Sequence, residues 1–316
     1  MPRIMSQTIE LQRIEIIGTA TAATTAATTT DAGPHLLITG GVHGDEFESM
    51  AAIRRLADAV PADQLSGRLT LVPVVNEAAF LNGNRTAEDG LDLARVCPGE
   101  DDGSVTLRTA VALSALIQSA DYYIDLHSGG IRMDVWPMSG YGLSDDPDRL
   151  EIQRRMARAL NLPVIWGTCG NLDGRSLSVA RDAGVPAIYT EYLGSGRCSP
   201  EGVDAYFEGC LNVMAELGML DREQPPSQVE LVIEDPRDGS GHMQLQNPSP
   251  ITGQFTPAVV LGQRVAPGDL LGYVADVTGG DTREIISTQS GWVLAIRTYP
   301  RVHENDTVIV VMEDVD

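Results

Sequence analysis

A regular pattern of apolar and polar positions begins at His35. Leu36, Leu37 and Ile38 form a short apolar run that stops at Gly40-Gly41, as a buried strand does when it ends in a tight loop. From 46 to 60, Phe47, Met50, Ala51, Ile53, Leu56 and Ala57 recur at helical spacing, and Pro61 closes the run. The alternation continues with a strand over 69–75, a helix over 105–119, a strand over 122–126 and a helix over 150–160. Strands over 164–168 and 185–190 and a helix over 200–220 complete it. Strands separated by helices predict an α/β fold with a mainly parallel or mixed sheet flanked by helices on both faces. Ligands in such sheets sit at the carboxyl ends of the strands.

Two stretches break the rhythm. Residues 18–30 are almost entirely Thr and Ala, a composition that suits an edge strand or hairpin as well as a disordered tract. Residues 221–228 are polar with two prolines and read as a linker. Beyond it, short Val, Ile and Leu runs alternate with turns such as Pro267-Gly268-Asp269 and Gly279-Gly280-Asp281, which predicts an all-β unit. The expected organisation is an α/β domain over 1–228, with a β-like N-terminal segment, and a smaller all-β domain over 229–316.

Composition narrows the function classes. The net charge is −22, and the 22 basic residues are all arginine, because the chain has no lysine. So acidic a surface repels nucleic acid and anionic lipid, leaving a small-molecule partner as the expectation; a homo-oligomer is compatible with it. No apolar run reaches membrane-spanning length, and the residues after Met1-Pro2-Arg3 are polar rather than a signal-peptide core, so the expected location is cytoplasmic. Cys97, Cys169, Cys198 and Cys210 form no C-x-x-C pair and read as free thiols.

The candidate chemistry lies at strand ends. His43 and Glu46 stand three apart in Gly41-Val42-His43-Gly44-Asp45-Glu46, where a strand gives way to a helix, so an imidazole and a carboxylate can converge. Alone, this pair is a weak signal. His127, at the end of the 122–126 strand, supplies a third donor. Two histidines and a glutamate with a fourth position left for water are the donor set of catalytic zinc. Asp125, two residues before His127 on the same strand face, is placed to orient an imidazole from behind. Glu191 ends another apolar strand and is a candidate general base, although a strand-end carboxylate facing solvent has the same pattern. Arg85 and Arg95 lie in an irregular Gly-rich stretch over 76–104, where guanidinium groups can bind a carboxylate or an oxyanion; salt bridges to Glu88, Asp89 or Asp92 are the plainer reading. His35, His242 and His303 read as ordinary hydrogen-bonded residues.

Three motifs, Gly41-Val42-His43-Gly44-Asp45-Glu46, Asp125-Leu126-His127 and Thr190-Glu191-Tyr192-Leu193-Gly194, in this order resemble the succinylglutamate desuccinylase/aspartoacylase family, relatives of the zinc carboxypeptidases. The resemblance runs from about 35 to 196. It implies one Zn2+ per chain on His43, Glu46 and His127, with Glu191 as catalytic carboxylate. It further implies that Arg85 polarises the scissile carbonyl and that Arg95 grips the substrate's carboxylate. Ala94 departs from the asparagine usual in the family, which removes a hydrogen bond worth about 1 kcal/mol or more and bears on substrate choice. Ser249-Pro250-Ile251-Thr252-Gly253 and the segment over 262–269 resemble the barrel-sandwich modules of biotinyl and lipoyl carriers. Without lysine, no such cofactor can be attached, so that unit is structural or covers the site.

The activity expected from these signals is zinc-dependent hydrolysis of the amide bond of a small N-acyl amino acid or related N-acylated amine. The alternatives are a zinc carboxypeptidase acting on short peptides, a non-catalytic metal or metabolite binder, and a carbohydrate or ester deacetylase.

Overall fold

The computed structural model describes residues 9–20, 33–243 and 246–315. Most of the Thr/Ala stretch therefore lies outside the described residues. In chain order the first elements are β1 (Ile14–Ile17), β2 (His35–Thr39), α1 (Phe47–Ala59), β3 (Arg68–Val72), α2 (Glu77–Asn82), α3 (Val105–Gln118), β4 (Tyr122–Leu126) and β5 (Met133–Val135). Then come β6 (Met138–Gly142), α4 (Pro147–Leu160), β7 (Val164–Thr168), α5 (Ser176–Ala183), β8 (Ala187–Glu191), α6 (Pro200–Glu216) and β9 (Leu231–Asp235).

Eight of these strands form one mixed sheet in the order β1-β3-β2-β4-β8-β6-β7-β9. β3, β2, β4 and β8 run parallel; β6 pairs antiparallel with β8 and parallel with β7, and β1 is antiparallel at one edge. The period-2 geometry of a strand sends alternate side chains to opposite faces. In β2, Leu36 and Ile38 join one core with Ile53, Leu56, Met156 and Phe207, whereas Leu37 joins a second core with Leu113, Ile117 and Val179. Helices α1, α4 and α6 thus cover one face and α3 and α5 the other, and every residue of β2 is buried.

The structure adds elements to the irregular stretches. The region over 76–104 holds α2 and a 3-10 turn at Leu93–Arg95, and α5 and β6 occupy segments that carry little periodic signal. β6 reads Met-Ser-Gly-Tyr-Gly, and it is a strand because β7 and β8 hydrogen-bond both of its edges. Asp146 and Ser199, each followed by Pro at the first helical turn, cap α4 and α6.

The C-terminal strands are β10 (Gly253–Pro257), β11 (Arg264–Val265), β12 (Leu270–Ala275), β13 (Thr282–Ile286), β14 (Gly291–Arg297), β15 (Arg301–Val302) and β16 (Ile309–Glu313). They form two antiparallel sheets enclosing Phe255, Leu271, Val274, Val293, Val302 and Val311. The division into units over 1–228 and 229–316 stays a proposal; β9, past the proline-rich segment, pairs with β7 in the large sheet. The smaller sheets are joined to the preceding part of the chain in two ways. β5 pairs with β14, and Leu294, Val310 and Met312 share one core with Val135, Met138, Val164 and Trp166.

No described helix is long and apolar enough to cross a membrane. All four cysteines are free.

Because Leu294 is fully buried in that shared core, Leu294→Ala should lower stability by about 2–5 kcal/mol. Denaturant unfolding should show the loss in one transition common to probes in both parts of the chain. A separate early transition confined to the C-terminal strands would contradict this packing.

Candidate metal centre and active site

Three adjacent parallel strands, β2, β4 and β8, deliver the predicted His43, Glu46, Asp125, His127 and Glu191 to one end of the sheet, and the segment between α2 and α3 brings Arg85 and Arg95. After β2 the chain turns at Gly41, whose φ of +63° suits a residue without a side chain. Gly44 is pressed on α2 so closely that a Cβ would lie 2.2 Å from the Ala79 carbonyl carbon. This tight passage brings His43 and Glu46 together just before α1, and His127 follows β4 directly.

Glu46 sits between the two imidazoles. Its Oε1 lies 2.6 Å from His43 Nδ1 and its Oε2 2.9 Å from His127 Nδ1. One ligand atom from each of His43, Glu46 and His127 falls within 4.8 Å of the others, and all three residues are buried. The far nitrogens face carboxylates: His43 Nε2 is 3.1 Å from Asp92 Oδ1, and His127 Nε2 is 3.1 Å from Asp125 Oδ2. With Nε2–H donated outward to Asp92 and Asp125, the Nδ1 atom of each ring faces the shared centre and would offer its lone pair to a cation held there, so the donor set fits a divalent cation.

The electrostatics follow from this crowding. Burial favours a neutral Glu46, but His43 and His127 outweigh it and hold the carboxyl well below its usual range. Burial likewise acts against a protonated His127, yet Asp125 and Glu46 raise its proton affinity well above that of a free imidazole. Asp92 is held low by His43 and Arg85 against its own burial.

Glu191, at the end of β8, behaves in the opposite way. Burial, and then the nearby Glu46 carboxylate, push it up to about 7. Its Oε2 is buried without a hydrogen-bond partner. It lines a cavity of about 390 Å³ together with His43, His127, Arg85, Arg95 and Asp125.

Arg85 reaches the cluster, with Nη1 3.6 Å from Glu46 Oε1. It also makes the salt bridge anticipated as its plainer role, donating to Asp92 Oδ2 from Nε at 3.2 Å and Nη2 at 3.0 Å. Arg95 makes no ion pair among the described residues and donates to the Ala94 carbonyl. Burial and then the Arg175 guanidinium bring it down to about 10. His35 bonds Ser119 and Thr70 away from this centre, and His303 lies in the loop after β15, where its backbone N–H donates to Asp306.

Sequence reasoning missed four contributors. In the sequence Asp92 reads only as a partner for arginine, yet it also holds His43. Arg175 lines the cavity, Ser176 donates to Asp125, and Tyr206 donates to the His127 carbonyl. The signal available was Gly174-Arg175-Ser176 ahead of a short amphipathic run. β14, β16 and the loop between β15 and β16 add Arg297, Val310 and Asp306 to the cavity wall.

Comparison with known proteins agrees with this arrangement. Residues 32–217 match the succinylglutamate desuccinylase/aspartoacylase catalytic domain. The chain is 31% identical over 291 residues to the N-alpha-acetyl-L-2,4-diaminobutyric acid deacetylase of Halomonas elongata, covering 90% of this chain and 83% of that one. The crystal structure of a succinylglutamate desuccinylase/aspartoacylase from Rhodobacter sphaeroides superposes with a TM-score of 0.80 at 29% identity, covering 90% of this chain and 87% of that one. The product-bound ectoine utilization protein EutE (DoeB) of Ruegeria pomeroyi gives 0.81 at 30% identity, covering 89% and 85%. The chain belongs to the succinylglutamate desuccinylase/aspartoacylase family.

Proposed function

We propose that this chain is a zinc-dependent deacylase that hydrolyses the amide bond of a small N-acyl amino acid. The observation that carries the reading is the convergence of one ligand atom from each of two imidazoles and one carboxylate within 4.8 Å, beside Glu191, whose buried Oε2 has no partner. Two histidines and a glutamate are a donor set of hydrolytic zinc. The Halomonas relative is named for N-alpha-acetyl-L-2,4-diaminobutyric acid, which makes that compound the first substrate to test here.

A cation held by His43, Glu46 and His127 supplies Lewis acidity toward water and the acyl carbonyl. The remaining work falls to side chains. Glu191 takes a proton from the attacking water; its proton affinity near 7 lets it hold that proton and then release it to the departing amine nitrogen. Water oxygen bonds to the acyl carbon, the C–N bond breaks, and a carboxylate and a free amine leave. Arg85, at the cluster's edge, donates to the oxyanion that develops on the acyl oxygen. Arg95 and Arg175, two guanidinium groups without an ion-pair partner among the described residues, hold the amino acid's carboxylate. Asp125 and Asp92 keep the two imidazoles in the tautomer that faces inward. The unit over 229–316 covers the cavity.

Glu191→Gln should retain zinc by elemental analysis while turnover falls by about 10²–10⁴-fold. Arg85→Ala should lower kcat by about 10²–10³-fold, measured on the best member of a panel of acylated amino acids and dipeptides. Preference for dipeptides in the wild type would replace the deacylase reading with a carboxypeptidase.

The acid limb of kcat/KM should fall at or below about 7, since burial and the Glu46 carboxylate push Glu191 up to about 7 and a dication held beside it would lower it. Glu191→Gln should abolish that limb.

His127 gives a second pH dependence. Its raised proton affinity contributes stability to the metal-free protein below about pH 6.5, and this is lost as pH rises through the raised value. A cation held by His127 would have to displace that proton. The gain in Tm on adding zinc to chelator-treated protein should therefore grow between about pH 6 and pH 8. Absence of any zinc effect would remove the metal from the proposal.

A further inference from the structure

Each carboxylate that orients a histidine of the metal centre is also tied to a turn bearing a cavity arginine. Asp92 Oδ1 accepts from His43 Nε2, and the same carboxylate accepts the Ala94 N–H at 3.0 Å at the start of the turn that carries Arg95. Asp125 Oδ2 takes His127 Nε2 at 3.1 Å and the Ser176 hydroxyl at 2.5 Å. Ser176 is the residue after Arg175, which lines the same cavity.

The two turns are bonded to each other. Cys97 N–H donates to the Gly174 carbonyl at 2.9 Å, and a Cβ on Gly174 would lie 2.4 Å from the Arg95 carbonyl oxygen. Gly174 has a φ of +81°, so a side chain is disfavoured there on both counts. Arg175 Nη2 is in turn fixed on the Gly241 carbonyl at 3.1 Å. The remaining Asp125 oxygen is held by Thr39 at 2.8 Å. Asp125 is therefore fully engaged, and Ser176 is the contact through which the Arg175 turn can act on His127.

We infer that Ser176 is a positioning residue that couples the arginine pair to the metal centre: an anion gripped by Arg95 and Arg175 tightens cation binding at His43, Glu46 and His127, and the cation tightens the anion in return. The coupling rests on the deacylase reading for the identity of the anion, an amino-acid carboxylate. Its physical basis is that a turn drawn toward a bound carboxylate carries Ser176 with it, and Ser176 fixes Asp125 and so the direction of the His127 ring. Reciprocity then follows from linkage, whichever ligand arrives first.

The test reads metal affinity rather than activity. Cobalt affinity of the full-length chain is measured by chelator competition, with and without saturating 2,4-diaminobutyrate, in the wild type, Ser176→Ala and Ser176→Thr. Ser178→Ala is the control, because Ser178 bonds the Arg175 backbone at the start of α5 but not Asp125. In the wild type the amino acid should tighten cobalt binding severalfold. Ser176→Ala should weaken cobalt about tenfold without the amino acid and abolish the tightening, and the hydroxyl retained in Ser176→Thr should restore most of both. Ser178→Ala should keep the wild-type tightening.

An unchanged affinity and linkage in Ser176→Ala would overturn the inference, as would an equal loss in Ser178→Ala or the absence of tightening in the wild type. Hydrolysis of the acylated panel is scored separately: wild-type cobalt linkage without hydrolysis of any acyl amino acid would sink the deacylase reading and leave this coupling standing.

Discussion

Glu46 is an ionised carboxylate, almost fully buried, with an imidazole nitrogen within 3 Å of each oxygen. A charge removed from water in this way is tolerated only when surrounding groups compensate it. Here they are two imidazoles, the Ser128 backbone N–H and the Arg85 guanidinium. Those imidazoles are in turn held from behind by Asp92 and Asp125. The cluster is thus an alternation of acid and base, in which removal of any member leaves an uncompensated charge. That condition explains why the turn after β2 is so tightly built and why Asp125 in β4 stands two residues before His127.

The fold meets this demand with rigid parts. β2, β4 and β8 are neighbours in the sheet, so His43, His127 and Glu191 leave it side by side. β2 and β4 are packed by apolar side chains on both faces, which leaves their ends little freedom to drift. The contrast between Glu46 and Glu191 comes from the same setting. Both are carboxyl groups near the same histidines, Glu46 at the N-cap of α1 and Glu191 at the end of β8; the two imidazoles keep the first ionised, while burial beside a like charge raises the second toward neutrality. Two carboxyl groups driven apart in this way suit two tasks, one as a permanent anion and one as a proton carrier.

The smaller sheets are more than an appendage. The core around Trp166 and Leu294 fixes them to the large sheet, β5 from the earlier part of the chain pairs with β14, and β14 and the loop after β15 bring Arg297 and Asp306 to the cavity. In a chain with a net charge of −22, the concentration of arginine in one cavity makes a local exception to an acidic surface. An anionic substrate is compatible with such a protein because the exception is local.

Sequence by itself determined the α/β alternation, the all-β C-terminal composition and the His43, Glu46 and His127 set. Strong apolar periodicity and strand-end position are local properties, and β4 and β7 coincide with their predicted spans of 122–126 and 164–168. It left open whether Glu191 faces solvent and whether Arg85 serves a salt bridge or the site. Only the tertiary structure decided these, because the answers depend on side chains remote in sequence: Glu46 and burial for the first, Asp92 and Glu46 together for the second. The antiparallel β6, formed from a Gly- and Ser-containing segment, and the Ser176 contact with Asp125 were invisible for the same reason. Hydrogen bonds to neighbouring strands and packing across 51 residues of chain leave no trace in a local pattern.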